Sequence, residues 1–196
     1  QVRVGYFGMG RVEKGFADLP TIVDRTLAIN RSIGFHLQVS PVTMAKRWPD
    51  GWEQAQLPEC VQVSPGELSQ EEYAEAFAGC HVILLNYHPD AYRYRTSAVF
   101  EEARSLGRII VTPRQTWMAS QIECGEAAGV TYDYSSGPDA AANALLDATG
   151  IASELLEKAW NIAEKRVGVS ASERFVDRVL QLLGVASIGP NHSAAE

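Results

Sequence analysis

Val82-Ile83-Leu84-Leu85 is followed, after a polar and basic segment, by Thr96 to Leu106, then Gly107, then Ile109-Ile110-Val111. Four apolar residues in a row, without alternation, describe a strand covered on both faces. The stretch after it has helical spacing and stops at a glycine, a common helix C-terminus. A second two-sided strand comes next. Strand, helix, strand with both strands buried on each face is the parallel βαβ unit, and its crossover is right-handed.

The same rhythm extends in both directions. Toward the N-terminus, Val2 to Phe7 is strand-like and runs into the bend Gly8-Met9-Gly10. Thr21 to Ser32 has helical spacing, with Ile22, Leu27 and Ile29 as apolar members. Phe35 to Val39 and Val61 to Val63 read as strands. Ser69-Gln70-Glu71-Glu72 is a capping box that opens a helix to about Ala78. Toward the C-terminus, Thr116 to Glu126 is helical, Val130 to Tyr132 is a strand and Ala140 to Ala148 is helical. Helices over about 152–166 and 171–183 close the chain, the last capped by Ser170 and Glu173. The expected fold is α/β: one Rossmann-like domain over 1–184, a doubly wound parallel sheet of about six strands with helices on both faces. Residues 185–196 are expected to fray.

Composition narrows the function. The 196 residues are 46% hydrophobic and 21% charged, as in an ordinary globular protein. The net charge of −7 opposes non-specific attachment to nucleic acid or to an anionic membrane, since both need a basic surface. No apolar run approaches the roughly 20 residues of a membrane span. Cys60, Cys80 and Cys124 form no C-x-x-C pair; Cys60 and Cys80 lie beside apolar runs and read as buried thiols in a reducing, cytoplasmic setting. The chain starts at Gln1 without a signal peptide and without Met, which suggests a piece of something longer.

In a doubly wound sheet, ligands bind beyond the carboxyl ends of the strands. The first such loop is Gly8-Met9-Gly10-Arg11-Val12-Glu13-Lys14-Gly15. Its glycines allow tight turns and close approach of backbone to a ligand. Arg11 and Lys14 beside them suggest a phosphate site in an acidic protein; the alternative is a solvated loop in which Glu13 offsets one charge. The dinucleotide pattern G-x-G-x-x-G is not met, because Glu13 stands where the third glycine belongs. The loop Asn86 to Ser97 is polar, aromatic and basic. Thr96 or Ser97 can cap the helix that follows, whose free N–H groups favour an anion. Arg93 and Arg95 add positive charge. Glu102, farther along that helix on the face of Ala98, can accept hydrogen bonds from sugar hydroxyls. His36, His81 and His88 lack metal-ligand spacing. Trp117 follows a strand end and can flank the cleft.

Taken together, these loops resemble the C-terminal, donor-binding domain of GT-B glycosyltransferases of the family 4-like group (glycosyl transferases group 1). Gly8, Arg11, Glu13, Lys14 and Gly15 resemble that family's first glycine-rich segment. Tyr73 to Leu85 resembles the helix and strand before its sugar-nucleotide loop. Glu102-Ala103-Arg104-Ser105-Leu106-Gly107-Arg108-Ile109-Ile110-Val111 is similar to its Glu-Ala-x-x-x-Gly-x-Pro-Val-Val signature, with Ile109 in place of proline. The likeness covers about residues 2–183.

The resemblance implies roles. Gly10, Arg11 and Lys14 border and neutralise the donor's diphosphate; Thr96, Ser97 and Ala98 hold a phosphate at the helix start; Glu102 binds the ribose hydroxyls; Val63 and Ser64 border the base. Retaining members carry a Glu eight residues before the one matched by Glu102. Here that place is Tyr94, which is expected to border the donor in its stead and leaves retaining or inverting stereochemistry open. No metal or other cofactor is implied, and no catalytic residue is assigned. The implied partners are a UDP-, GDP- or ADP-sugar and an N-terminal acceptor domain, without which the chain is expected to be inactive. Two other readings stand beside this one. A module for NAD predicts an acidic residue at the end of the second strand, where Ser40-Pro41 stand. A structural or regulatory domain without ligand is favoured by Tyr94.

Overall fold

The computed structural model describes residues 1–39 and 57–166. Six parallel strands form one sheet: β1 (Arg3–Tyr6), β2 (Gly34–Val39), β3 (Val61–Pro65), β4 (Val82–Leu84), β5 (Ile109–Pro113) and β6 (Gly129–Tyr132). Their order is β3-β2-β1-β4-β5-β6. The helices are α1 (Leu19–Ile29), α2 (Gln70–Ala78), α3 (Pro89–Tyr92), α4 (Ala98–Ser105), α5 (Trp117–Glu123), α6 (Pro138–Gly150) and α7 (Ala152–Arg166). The expected helix over 171–183, its cap and the tail lie outside the described residues, as do Ser40-Pro41.

β4 shows why its sequence has no alternation. Val82 and Leu84 enter a cluster with Tyr6, Leu19, Ile22 and Leu145 on the face of α1 and α6. Ile83 and Leu85 enter a second cluster with Phe7, Phe77 and Phe100 on the face of α2 and α4. Each such side chain contributes about 1.5–3 kcal/mol when fully buried. A polar residue at any of these positions would lose that and add the cost of an unpaired group.

Chain order reverses between β1, which pairs with β2 through Val4↔Phe35, and β4, which pairs with β1 through Val4↔Val82. The connections after β1 and β4 therefore lead to opposite faces of the sheet, and such a switch point at the carboxyl ends of the strands is where doubly wound sheets form a binding crevice. Two expectations about detail are revised. The segment after β4 contains the short helix α3, started by Pro89 and capped by the His88 side chain, which accepts from Asp90 N–H. Cys80 is buried, but Cys60 is only half-buried. Burial pushes the Cys80 thiol up to about 12.

Candidate functional site

The crevice begins with glycine geometry. Gly8 has φ +115°, and a Cβ there would lie 2.9 Å from Lys14 Nζ. The missing side chain gives the ammonium its place. Gly8 N–H donates to Gln38 Oε1 at 2.8 Å, and Gln38 Nε2 donates to the Gly66 carbonyl at 2.9 Å. The glycine turn is thus tied through β2 to the segment after β3. Gly15 has φ +67°, and a Cβ on it would collide with the Asn86 carbonyl. Gly15 lets the loop after β1 lie directly against the end of β4.

Asn86 locks that approach. It is buried, its Nδ2 donates to the Gly15 carbonyl and to Asp18 Oδ2, both at 3.2 Å, and its Oδ1 accepts from the Tyr132 hydroxyl. Three strand ends, β1, β4 and β6, meet in one amide.

Three cations gather above this floor. Lys14 is half-buried with its ammonium 5.4 Å from the centre of the Tyr87 ring. Burial, then repulsion from Arg11, with a smaller push from Arg95, lowers its pKa; Glu13 works in the opposite direction. No hydrogen-bond acceptor meets Lys14 Nζ among the described residues. Arg11 pairs with Glu13 at 3.7 Å, so the charge offset allowed for this loop falls on Arg11 and leaves Lys14 open. Arg95 lies over the Tyr92 ring at 4.9 Å.

The start of α4 adjoins this group. Ser97, not Thr96, is the cap: its Oγ accepts from Phe100 N–H and shares a hydrogen bond of 3.3 Å with the Tyr87 hydroxyl. Tyr87 therefore links Lys14 to the helix start. One turn along, Glu102 Oε2 accepts a hydrogen bond of 2.7 Å from the Tyr73 hydroxyl. Burial raises the Glu102 pKa, and the Tyr73 bond lowers it. Glu102 also lies close enough to Tyr87 to raise its pKa, after the larger effect of burial. Tyr87 thus lies beside Lys14 and within the electrostatic reach of Glu102.

The other sequence candidates divide between this group and more distant places. Gly10 is buried beside the cations, whereas Thr96 and Ala98 are exposed at the helix start. Tyr94 is 86% exposed and stands out in solvent. Val63 is buried. Ser64 shares a 2.8 Å hydrogen bond with His36 and faces a cavity of about 330 Å³ between α2 and the strands β2 and β3, beside Arg3 and Glu75. His81 accepts from Arg3 N–H. Trp117 packs on Phe100 and the Arg104 guanidinium instead of flanking the crevice. Sequence reasoning did not single out Tyr73, Tyr87, Asn86 or Gln38. Nothing in spacing distinguishes these from ordinary core or strand residues; only Asn86, a polar residue directly after an apolar run, carried a signal. Among the described residues no group of three or more His, Cys, Asp or Glu is placed to hold a metal ion, and no helix is long and apolar enough to cross a membrane.

No family model matches the chain, and no curated protein matches it in sequence. Solved structures do. The C-terminal domain of the glycosyl transferase group 1 family protein LpcC from Francisella tularensis aligns with TM-score 0.65 and 12% identity, over 86% of this chain and 87% of that one. The spinosyn rhamnosyltransferase SpnG aligns with TM-score 0.61 and 15% identity, over 92% of this chain and 45% of that one. Anabaena HepE, solved with UDP-glucose, aligns with TM-score 0.60 and 14% identity, over 93% and 48%. The chain shares the Rossmann-like α/β fold of these glycosyltransferase structures, the C-terminal domain of LpcC among them. The chain spans under half the length of SpnG and HepE.

Proposed function

We propose that this domain binds the nucleoside-diphosphate part of a sugar donor and belongs to an enzyme that transfers the sugar to an acceptor. The observation that carries the reading is the half-buried Lys14 ammonium, which has no hydrogen-bond or ion-pair partner among the described residues, with Arg11 and Arg95 beside it and the Ser97-capped helix start linked to it by Tyr87. A cluster of three cations offset by the single carboxylate of Glu13 among the described residues, in a protein of net charge −7, is a strong attractor for a dianion. Departure of a nucleoside diphosphate builds negative charge on its phosphates, and fixed cations with a helix start stabilise that charge without a metal. Glu102, a short distance along α4, accepts the ribose hydroxyls, and backbone groups of the segment from Val63 to Gly66, not the Ser64 side chain, border the base. The acceptor and any base acting on it belong to a second domain, so 1–196 binds donor without turnover. A cytoplasmic setting is part of the reading, in keeping with the free thiols Cys60, Cys80 and Cys124.

A second reading is a nucleotide-binding module without catalysis. The 86% exposure of Tyr94, at the position where retaining enzymes of the resembled family carry Glu, favours it. Calorimetric titration with UDP, GDP, ADP and NAD tests the shared core of both readings. Binding of a nucleoside diphosphate but not of NAD is expected. Absence of binding by all four overturns it. Sugar transfer after addition of an acceptor domain separates the first reading from the second.

A further inference from the structure

The Tyr73 ring is held by aromatic neighbours on two elements. It meets Phe7, after β1, edge-on at 5.5 Å and Phe77 on its own helix α2 at 5.7 Å. Its hydroxyl is therefore delivered from a fixed position to Glu102 on α4. Burial, and then the nearby carboxylate, raise the Tyr73 pKa far above neutrality, so the hydroxyl keeps its proton and always donates. That donation occupies Oε2. Oε1 has no partner among the described residues.

A carboxylate on a helix normally rotates freely about its last torsion. Here one oxygen is anchored, so the plane of the group and the direction of the other oxygen are set before a ligand arrives. A vicinal diol offers two O–H donors at fixed spacing and gains most from an acceptor that is already oriented. We propose that Tyr73 is a positioning residue for ribose selection: by holding Oε2 of Glu102, it presents Oε1 to the diol of a ribonucleoside diphosphate. This rests on the nucleoside-diphosphate reading given above.

Among the described residues the charged and titratable groups around Glu102 are few. Tyr73 faces it from α2, and Tyr87 from the segment after β4. On α4 itself, Glu101 is taken up by Arg104 at 2.7 Å. The ribose contact needs Glu102 ionised, so ligand binding weakens as pH falls through the Glu102 pKa. Removing the Tyr73 donor removes a lowering influence, and the weakening then begins at a higher pH.

The test is calorimetric titration of UDP, GDP, ADP and their 2′-deoxy counterparts, with inorganic pyrophosphate as control, into the wild type, Tyr73→Phe, Glu102→Gln and the double variant. The wild type should prefer the ribose form of its nucleotide by about tenfold, the scale of one hydrogen bond to a charged group. Tyr73→Phe should reduce that ratio to about threefold or less, leave pyrophosphate affinity unchanged, and move the acid loss of ribonucleotide binding upward in pH. In the Glu102→Gln background Tyr73→Phe should add nothing. An unchanged ratio in Tyr73→Phe, or a parallel loss of pyrophosphate, overturns the proposal while leaving the nucleotide reading intact. No binding of any nucleotide by the wild type overturns the nucleotide reading, and the proposal with it.

Discussion

Lys14→Met separates a binding role from a structural one, because the two predict opposite signs. Met keeps the length and apolar stem of lysine but removes the charge. Two unit charges 4 Å apart at an effective dielectric of 20 attract by about 4 kcal/mol. A diphosphate gives up hydration to reach Lys14, and Arg11 and Arg95 remain in the variant, so about half of that is a reasonable net loss. About 2 kcal/mol is a roughly thirtyfold weaker Kd for pyrophosphate or a nucleoside diphosphate. The ligand-free protein should respond the other way. Burial and the neighbouring arginines hold the folded pKa of Lys14 below its unfolded value. The charged lysine is therefore a cost to the fold at neutral pH, present in full below the folded pKa and gone once pH exceeds the unfolded value of about 10.4. Solvent reaches this half-buried side chain and screens the effect, so removing the charge should stabilise the ligand-free fold only slightly. The Tm of ligand-free Lys14→Met should rise slightly at pH 7, with the gain shrinking toward about pH 10. Titration calorimetry and thermal denaturation read both effects. Wild-type affinity in Lys14→Met, or a Tm several degrees lower, refutes the reasoning.

Further substitutions test the scaffold. Gly15→Ala forces a Cβ into the Asn86 carbonyl at a left-handed φ and should cost about 2 kcal/mol or more in urea denaturation; a cost below about 0.5 kcal/mol would show that the crevice floor can open freely. Asn86→Ala strands the Tyr132 hydroxyl and removes both bonds to the loop after β1, so a loss of about 2–3 kcal/mol is expected, together with weaker pyrophosphate binding; unchanged binding in the folded variant would detach the floor from the site. Tyr94→Ala changes a solvent-exposed side chain and should alter stability by less than about 0.5 kcal/mol and nucleotide affinity by less than about twofold. A large loss of affinity there would place Tyr94 on the ligand.

The linear chain by itself determined the layers. The unalternating run Val82 to Leu85 required cover on both faces, the Ser69–Glu72 box marked the start of α2, and Gly107 marked the end of α4, all through interactions within a few residues. The order of the elements was enough to place the loops after β1 and β4 at the carboxyl edge of the sheet, and Lys14, Arg11, Ser97 and Glu102 were legible there as charge, cap and carboxylate. Only the tertiary structure decided which of these groups meet. Tyr87 lies 73 residues from Lys14 yet supports its ammonium, and Tyr73 lies 29 residues from the carboxylate it anchors. Such pairings depend on which strand ends adjoin and where each ring points, and neither is encoded in local spacing. The same limit explains Tyr94 and Ser64. Their positions in the loops suggested the ligand, but the backbone turns one toward solvent and the other toward His36.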